Sequence, residues 1–531
     1  MRRTIIALAV AAVAGGHAAA QTTALPNQPQ PYAGEVRAAT PAPTAPPVDP
    51  ALKAAVLALG TGPESAYVKH FYAQRNYELA WSRGDEQVLL AAIEDAERHG
   101  LNSRDFLPPD GASDPVRRDI RLTRAAIAYA STLSFGRIKP ETVETIWSLR
   151  GNSVDVPGGL NQALRYGELQ SWLETLAPTD RGYQGLTSAF LRYRDIASRG
   201  GWPAWRNGSK IEPGKSDPRV PALVARLVAE GDLTPESAIP PAGVDANVYH
   251  PALVEATKRF QTRHGLAPDG VIGGDTQVEL GATARDRMRQ IATNMERRRW
   301  LARDLADERI EVNTAAAILV YWRDGRPVHG TRVVNGASRT PTPSLEVPFS
   351  SVVANPPWNV PMSIARNEIL PKGPGYLARQ NMYLVGGRVV QRPGPNAALG
   401  LVKFEMNNPH AIYLHDTPSK RFFANAHRHL SHGCVRVQDA VEFARMILGY
   451  NPQALMEFDA AQASGETTRV QLGRSIPVRL LYWTAFLDGD GRISFRKDVY
   501  GRDDKLAEAL GLGSMDQMLE ATGPAPGDVG P

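Results

Sequence analysis

The sequence predicts a multidomain α+β protein with a helical first part, a small helical module in the middle, and a β-rich domain with a capping lid near the C-terminus. Three observations support this prediction. Apolar residues recur at helical spacing over about 51–240, two short helical patterns enclose a glycine-rich turn in 248–284, and alternating runs typical of strands dominate from about residue 313. The length of 531 residues fits three or four domains of about 100–200 residues each.

The first 50 residues predict an exported protein. A basic start is followed by an apolar run from Ile5 to Val13 and by the cleavage pattern Ala18-Ala19-Ala20, so we interpret 1–20 as a secretory signal peptide. An uncleaved inner-membrane anchor is the alternative, although the apolar run is short for a spanning helix. Residues 21–50 are rich in proline, threonine and alanine and predict a flexible linker. We therefore expect a periplasmic location.

Residues 51–240 predict a helical scaffold domain. Val88, Leu89 and Ile93 lie on one face of an amphipathic pattern, and further apolar faces follow it. The aromatic pattern around Phe71 and Trp81 is typical of a packed core. Because no paired carboxylates stand in a catalytic context here, we expect no separate glycosidase site.

Residues 248–284 predict a compact helical module. Leu253 and Phe260 share a helix face, and a glycine-rich turn separates this helix from a second, shorter one. The module resembles the type-1 peptidoglycan-binding domain. The residues that carry the resemblance are Phe260, Gln261, Gly265, Leu266, Asp269, Gly270, Gly273 and Thr276. These residues build the module, so they identify its fold better than they identify a ligand site, and glycan binding stays open.

A basic helical connector is predicted at 285–312, where seven arginines crowd between Arg285 and Arg303. We expect them to form a solvated face, with a surface that contacts the wall or lipid as the alternative. The net charge of +5 over the whole chain fits weak attraction to an anionic wall polymer and gives no reason to expect a nucleic-acid partner.

The β-rich domain is predicted at 313–480. Asp324-Gly325 and Gly386-Gly387 each separate two strand-like runs, which is typical of β-hairpins, and we expect a sandwich-like sheet. Residues 356–395 interrupt the strands with many prolines and glycines and predict a lid. Residues 481–531 predict C-terminal strands, a hairpin turn at Asp488 to Gly491, and a disordered tail.

The candidate catalytic residues lie late in this domain. The single cysteine, Cys434, follows Ser431-His432-Gly433, and His415 ends the short apolar run Ile412 to Leu414. A thiol nucleophile needs an imidazole to accept its proton and backbone amides to face the developing oxyanion. We therefore predict Cys434 as nucleophile, His415 as base, and the amides of Gly433 and Cys434 as oxyanion donors. After Arg436, an apolar helical pattern predicts that the loop leads directly into a buried helix.

These residues resemble the L,D-transpeptidase (YkuD-type) catalytic domain, in which a histidine precedes a Ser/Thr-His-Gly-Cys-hydrophobic-Arg/Asn block. His415 and the block from Ser431 to Arg436 match that pattern. Further segments resemble the large multidomain branch of the family, with a scaffold and a binding domain before the catalytic domain. They are Asn355 to Pro361, Pro393 to Asn396, and His415 to Pro418.

The resemblance implies an activity. Cys434 would be acylated by a peptidoglycan tetrapeptide stem with loss of D-alanine, and the acyl group would pass to an amine of a neighbouring stem to form a 3-3 cross-link. No cofactor is implied. The implied partners are peptidoglycan stem peptides and glycan, together with wall synthases and carboxypeptidases that supply tetrapeptide donors. Such a role belongs to cell-wall organisation and cell shape.

The resemblance also implies roles for neighbouring residues. His432 and Ser431 would shape the oxyanion or acceptor pocket, and Arg436 would either brace the loop or meet a substrate carboxylate. The group that orients His415 is either the side chain of Asp416 or a backbone carbonyl. Trp358 would either stack on the donor stem or anchor the lid.

Three alternatives stay open. The same cysteine and histidine could pass the acyl group to water, as an L,D-carboxypeptidase or an enzyme that detaches lipoprotein from the wall. The chain could also be a wall-binding scaffold without catalysis. Finally, His427, His429, His432 and Cys434 are zinc-type ligands, but their spacing matches no standard zinc pattern and a metal would quench the thiolate, so we expect no metal.

Overall fold

The computed structural model describes residues 48–108 and 114–512. The predicted signal peptide, almost all of the predicted linker and the end of the C-terminal tail therefore lie outside the described residues. Within the described ranges, no helix is both long enough and apolar enough to cross a membrane.

The scaffold is helical, as predicted. Aspartates begin several of its helices: the side chain of Asp114 accepts hydrogen bonds from the amides of Val116 and Arg117, and Pro115 occupies the first turn. The long helix that starts there buries Leu122, Ile127 and other apolar residues against its neighbours. The elements are α1 Pro50–Leu57, α2 Pro63–Gln74, α3 Arg83–Glu94, α4 Pro115–Phe135, β1 Trp147–Ser148, α5 Val156–Tyr166, α6 Leu169–Leu176 and α7 Arg181–Ser198.

The middle module begins earlier than the sequence suggested. Its helices are α8 Val220–Glu230, α9 Pro251–Arg263 and α10 Gly274–Gly281. Leu223 and Leu227 of α8 share one apolar core with Leu253 and Phe260 of α9, and Ile211 belongs to the same core. The boundary expected near residue 240 therefore falls inside this module. The segment around Pro240 is an internal connection between α8 and α9.

The signature residues of the module hold its glycine-rich turn in place. The side-chain amide of Gln261 donates to the Asp269 carboxylate, the Val271 carbonyl and the Thr276 hydroxyl, and its oxygen accepts from the Gly270 amide. Gln261 is almost fully buried, so these bonds satisfy a polar group inside the core.

The basic connector is a buried helix, α11 Ala284–Arg299, and the expectation of a solvated arginine face is wrong for most of it. Arg287, Arg297 and Arg299 are each at most 3% exposed. Each pairs with a carboxylate: Arg287 with Glu279, Arg297 with Asp503, and Arg299 with Glu296. Other elements surround this part of the helix, so these three arginines are neutralised inside the protein rather than hydrated.

The β-rich domain contains one large sheet that closes on itself. Among the described residues, the strand order is β5-β13-β2-β3-β4-β12-β10-β9, β9 pairs again with β5, and β1 and β11 add to β5 and β4. The strands are β2 Arg309–Asn313, β3 Ile318–Arg323, β4 Arg326–Gly336, β5 Ser344–Ala354, β9 Val402–Met406, β10 Leu414–His415, β11 His429–Ser431, β12 Val435–Val437 and β13 Thr468–Leu481. The sheet is thus a closed ring rather than the expected sandwich.

Two helices, α14 Ala440–Leu448 and α15 Pro452–Ser464, complete the core of this domain. Phe443, Ile447 and Phe458 pack against the inward faces of the strands. The predicted helix after the nucleophile is α14, but strand β12 lies between Cys434 and that helix. Cys434 therefore lies directly before a strand of the closed sheet, and the pairing of β12 with β10 and β4 fixes its position.

The predicted lid forms a separate small unit with its own core, in which Trp358, Ile364, Ile369 and Val389 pack together. A three-stranded sheet of order β6-β8-β7 frames it. Its elements are β6 Trp358–Asn359, α12 Met362–Ile364, a wide helical turn Ala365–Ile369, α13 Pro374–Arg379, β7 Met382–Val385 and β8 Arg388–Gln391.

The C-terminal segment forms the predicted hairpin, β14 Ala485–Leu487 and β15 Ile493–Phe495, followed by α16 Arg502–Ala509. The hairpin packs on the helical part, because Ala485 and Phe495 belong to the scaffold core. Tyr500 reaches the closed sheet, where its hydroxyl donates to the Gly336 carbonyl over 2.9 Å. This segment therefore connects the helical part to the β-rich domain.

We expect Arg297→Met to destabilise the protein by about 3–5 kcal/mol, because it leaves the buried Asp503 carboxylate without its cation. Chemical denaturation measures the free energy of unfolding. Arg285→Met on the same helix is the control, since Arg285 is exposed and its loss should change stability by no more than about 0.5 kcal/mol. Equal effects of the two substitutions would contradict the role of the buried pair.

Candidate active site

Strand register brings the predicted nucleophile and base onto one face of the sheet. Strands β10 and β12 are parallel, with Leu414 opposite Val435 and His415 opposite Arg436. Tyr413 therefore lies beside Cys434, and the Val435 amide donates to the Tyr413 carbonyl. Since alternate residues of a strand share a face, His415 and Cys434 are diagonal neighbours on the same side. Leu414 and Val435 point the other way, into the core.

The backbone carbonyl of Asp416 orients His415. The Nδ1 atom of His415 lies 2.5 Å from that oxygen, and because a carbonyl only accepts, Nδ1 carries the proton and Nε2 is the basic atom. The Asp416 side chain is engaged elsewhere: it accepts from the Leu401 amide and pairs with Lys420. Of the two predicted orienters, the geometry therefore assigns the carbonyl and not the carboxylate.

Both reactive groups rest in their neutral forms. Burial, aided by the positive charges of Arg436 and Lys403, lowers the pKa of His415 to about 3. Burial raises the pKa of the Cys434 thiol, although hydrogen bonds from Tyr413 and the same two cations oppose the shift. Near neutral pH the site therefore holds a thiol and an uncharged imidazole rather than a thiolate and an imidazolium.

Tyr413 is a site residue that the sequence analysis missed. Its hydroxyl and its backbone both hydrogen-bond the Cys434 sulfur, and burial raises the pKa of the phenol, so the hydroxyl stays protonated. The thiol points toward the Ala411 carbonyl, with 3.7 Å between sulfur and oxygen. An aromatic residue two positions before the histidine, on the same strand face, was the available signal.

Trp358 anchors the lid beside this cluster. Its side chain is 2% exposed, belongs to the lid core, and hydrogen-bonds the Tyr413 hydroxyl. A substrate could not stack on a ring that is buried to this degree. Of the two predicted roles, the packing therefore supports the anchor, and it connects the lid to Tyr413 and through it to Cys434.

The nucleophile loop is held by Ser431. The Ser431 hydroxyl donates to the Cys434 carbonyl over 2.6 Å and accepts from the Gly433 amide over 3.2 Å. The Gly433 amide is thus already engaged, which differs from its expected role as an oxyanion donor. Gly433 has a φ of 115°, a backbone conformation that favours glycine. Ser431 and Gly433 therefore shape the loop rather than face a substrate.

A second loop that the sequence analysis did not single out supports the first. Thr342 donates to the Gly433 carbonyl and accepts from the Gly336 amide, and Thr340 donates to the Ser431 carbonyl. A Cβ atom on Gly336 would lie 2.1 Å from the Thr340 carbonyl oxygen, so only glycine fits. Scattered threonines and a glycine carried no recognisable pattern in the sequence.

Three further residues with basic side chains border the site. The Nε2 atom of His432 lies 2.8 Å from the Glu368 carboxylate in the lid, so this pair joins the lid to the nucleophile loop. Arg436 is 1% exposed, which places it under the site, where it acts on His415 and Cys434 through its charge. Lys403 lies opposite His415 on β9, with its Nζ atom 4.6 Å from the Tyr413 ring centroid.

The zinc-type residues named above have separate partners. His427 pairs with Asp275, the ring of His429 bonds the Thr314 carbonyl, and His432 pairs with Glu368. Within the described ranges, no group of three or more histidine, cysteine, aspartate or glutamate side chains is arranged to hold a metal ion.

The fold and this site define a multidomain α+β protein whose last domain carries a cysteine beside a histidine on a closed sheet. Family profiles match three segments: a scaffold domain at 66–190, a "Putative peptidoglycan binding domain" at 216–280, and an L,D-transpeptidase catalytic domain at 307–472. The chain thus carries a YkuD-type L,D-transpeptidase catalytic domain behind a scaffold and a peptidoglycan-binding domain. The predicted resemblance and the predicted fold class are confirmed.

One curated relative has a description that agrees with the matched catalytic domain. A protein of Haemophilus influenzae described as "Putative L,D-transpeptidase" is 33% identical over 221 residues, which cover 37% of this chain. The chain spans about half the length of that relative, 45%.

The similarity to two solved structures of L,D-transpeptidases is low. A cysteine-to-serine mutant from Enterococcus faecium is 13% identical, covering 34% of this chain and 52% of its own, with a TM-score of 0.16. A protein from Xylanimonas cellulosilytica is 17% identical, and the match covers 52% of this chain and 98% of that protein, with a TM-score of 0.17.

We expect alkylation of Cys434 by iodoacetamide to be slow at pH 7 and to accelerate only above pH 9.0, the ordinary thiol value, because burial disfavours the thiolate. Mass spectrometry gives the rate at each pH, and the single cysteine makes the labelling unambiguous. Lys403→Met should move the profile to still higher pH, since it removes a cation that favours the thiolate. A rate that levels off below pH 8 would instead indicate a preformed thiolate–imidazolium pair.

Proposed function

We propose that the protein is a cysteine-dependent peptidoglycan L,D-transpeptidase that forms 3-3 cross-links. One observation carries the proposal: the register of β10 and β12 places Cys434 and a tautomerically fixed His415 on one sheet face, beside the lid. The matched catalytic and peptidoglycan-binding domains support peptidoglycan as the substrate and a location outside the cytoplasm. The signal peptide predicted at 1–20 would provide export to the periplasm.

The first half-reaction acylates the thiol. His415 Nε2 accepts the Cys434 proton as sulfur attacks the carbonyl carbon of the penultimate residue of the donor stem, forming the C–S bond. The peptide C–N bond then breaks, and His415 returns the proton to the departing amine of D-alanine. Because the pKa of His415 is low, the imidazolium holds this proton only briefly, which favours its transfer to the leaving group.

The second half-reaction transfers the acyl group. An amine of a neighbouring stem attacks the thioester, His415 accepts the proton from that amine, the C–S bond breaks, and the thiol regains its proton. Water could attack in the same way and release a tripeptide, the outcome of an L,D-carboxypeptidase. The lid, fixed by Trp358 to Tyr413 and by Glu368 to His432, would limit the access of water to the thioester.

The oxyanion of both half-reactions needs a donor other than the engaged Gly433 amide. The protonated hydroxyl of Tyr413 is such a donor, because it already hydrogen-bonds the sulfur and its pKa is raised. When the sulfur bonds to the carbonyl carbon, this hydroxyl is free to turn toward the oxyanion of the tetrahedral intermediate. We therefore assign Tyr413 to stabilisation of the tetrahedral intermediate, together with the Cys434 amide.

The proposal is tested with purified protein and a disaccharide-tetrapeptide, with products separated by mass spectrometry. We expect a cross-linked dimer that has lost one D-alanine, no product with Cys434→Ala, and a rate reduced about 10²–10⁴-fold with His415→Ala, since a general base is lost. His432→Ala should cost less, because His432 acts through the lid. Tripeptide as the sole product would identify a carboxypeptidase, and product formation by Cys434→Ala would refute the mechanism.

The orienting role of the Asp416 carbonyl gives a separate prediction. Asp416→Asn keeps the backbone carbonyl and keeps a side-chain oxygen for the Leu401 amide, so the rate should stay within about tenfold of the wild type. The same assay measures this, with His415→Ala as the reference for loss of the base. A loss as large as that of His415→Ala would show that the carboxylate itself orients or charges the imidazole.

A further inference from the structure

A cleft lies between the peptidoglycan-binding module and the catalytic domain, away from Cys434. It encloses a cavity of about 330 Å³. The module contributes residues 264–268 and Asp275, the catalytic domain contributes Arg332 and residues 424–429, and the C-terminal segment contributes residues 496–497. The walls therefore come from three parts of the chain, and α11 joins two of them, the module and the C-terminal segment, through ion pairs.

Three guanidinium groups in this cleft are fixed by backbone carbonyls. Arg332 donates to the carbonyl of Phe423, and Arg496 donates to those of Arg263 and Phe495. Arg428 donates to five carbonyls, those of Val333, Asn425, Ala426, Ala316 and Ala317. Among the described residues, none of these three arginines forms an ion pair with a carboxylate within 4.0 Å. The charges of Glu279 and Asp488 act on Arg496 only from a greater distance.

The arginines also repel one another. Burial and the charge of Arg332 lower the pKa of Arg428 to about 10, and burial and the charge of Arg428 lower the pKa of Arg496 to about 10. The two acids of the cleft are occupied: Asp275 pairs with His427, and Glu279 pairs with Arg287. The cleft thus holds an excess of positive charge that an anion would relieve.

The cleft faces the same side of the sheet as the catalytic residues. On β4, Val334 lies opposite Arg436 of β12, so Arg332, two residues earlier, shares the face of Arg436 and Cys434. Strand β11 leads from His429, in the cleft wall, to Ser431 at the start of the nucleophile loop. A chain bound in the cleft could therefore extend toward Cys434.

We propose that this cleft binds the carboxylates of a peptidoglycan stem peptide, as a second anchoring site beside the catalytic one; this inference rests on the proposed function. The exposed guanidinium of Arg332 can form a paired hydrogen bond with a carboxylate. Arg428 contributes through its charge, because its N–H groups are engaged with backbone carbonyls. The wall supplied by Leu266, Ala267 and Pro268 offers apolar contact for the short side chains of a stem. A stem held here would keep its own glycan strand close to the reacting carbonyl.

The test measures binding of a disaccharide-tetrapeptide with free carboxylates by calorimetry, using the full chain with Cys434→Ala to prevent turnover. The cleft variant is Arg332→Gln with Lys497→Gln, and the control is Arg326→Gln with Lys505→Gln, which removes the same charge from exposed positions outside the cleft. We expect affinity to fall about tenfold in the cleft variant and to stay unchanged in the control.

Two further binding measurements define the chemistry of the ligand. A muropeptide with amidated carboxylates should bind both variants equally weakly. Equal affinity of the cleft and control variants for the free-carboxylate muropeptide, or undiminished binding of the amidated one, would overturn the proposal. If inorganic phosphate displaces the muropeptide at similar concentrations, the cleft is a general anion site, and this result would also overturn the proposal.

Folding and catalysis are controlled separately. Thermal melting checks that both double variants fold, and Arg332→Glu alone, at an exposed position, provides a second variant with an expected loss of at least the same size. Turnover by enzyme that retains Cys434 tests the proposed function independently. If cross-linking depends on Cys434 but the cleft variant binds with unchanged affinity, only the proposed binding site is refuted. If the muropeptide binds but is not turned over, only the proposed catalytic function is refuted.

Discussion

The burial of charged and polar side chains along α11 is the constraint on which the rest of the structure depends. A buried arginine without its carboxylate is strongly destabilising, so each one requires its partner in place. Arg287 finds Glu279 in the peptidoglycan-binding module, and Arg297 finds Asp503 in the C-terminal segment. Glu296 accepts from the amide of Ile138 in the scaffold. One helix thus specifies how three parts of the chain assemble, because other arrangements would leave charges buried and unpaired.

This assembly reaches the candidate active site through the C-terminal segment. Thr484 both donates a hydrogen bond to and accepts one from Asn294 of α11. Further along the segment, the Tyr500 hydroxyl donates to the Gly336 carbonyl and accepts from the Thr342 amide. Gly336 and Thr342 hold the loop that carries Cys434, as described above. The position of Cys434 therefore depends on contacts that begin in α11, a helix outside the catalytic domain. This gives a physical reason for the helical part to belong to the same chain.

Local sequence patterns made much of the fold predictable, together with the pair Cys434 and His415. Features that depend on contacts between residues distant in sequence could not be predicted. The turns at Asp324-Gly325 and Gly386-Gly387, the strand that ends at His415, and the lid follow from short stretches of sequence. The burial of the α11 arginines depends on acids that are distant in sequence, such as Asp503, and a basic run alone looks like a solvated face. The choice of the Asp416 carbonyl over its carboxylate depends on a rotamer, and the role of Tyr413 depends on strand register.

The neutral forms of Cys434 and His415, together with the nearby cations Arg436 and Lys403, are consistent with the proposed transferase. An uncharged thiol and imidazole cost little to bury, so the lid can pack against them through Trp358 and Tyr413. In the proposed reaction, charge would develop only during attack, when Arg436 and Lys403 would favour the thiolate that forms. If a second stem is held by the arginines of the cleft on the same sheet face, its amine is presented at high local concentration while the lid limits water. The preference for an amine over water would then depend on where the second stem is held. That position is set in part by α11, which joins the peptidoglycan-binding module to the C-terminal segment.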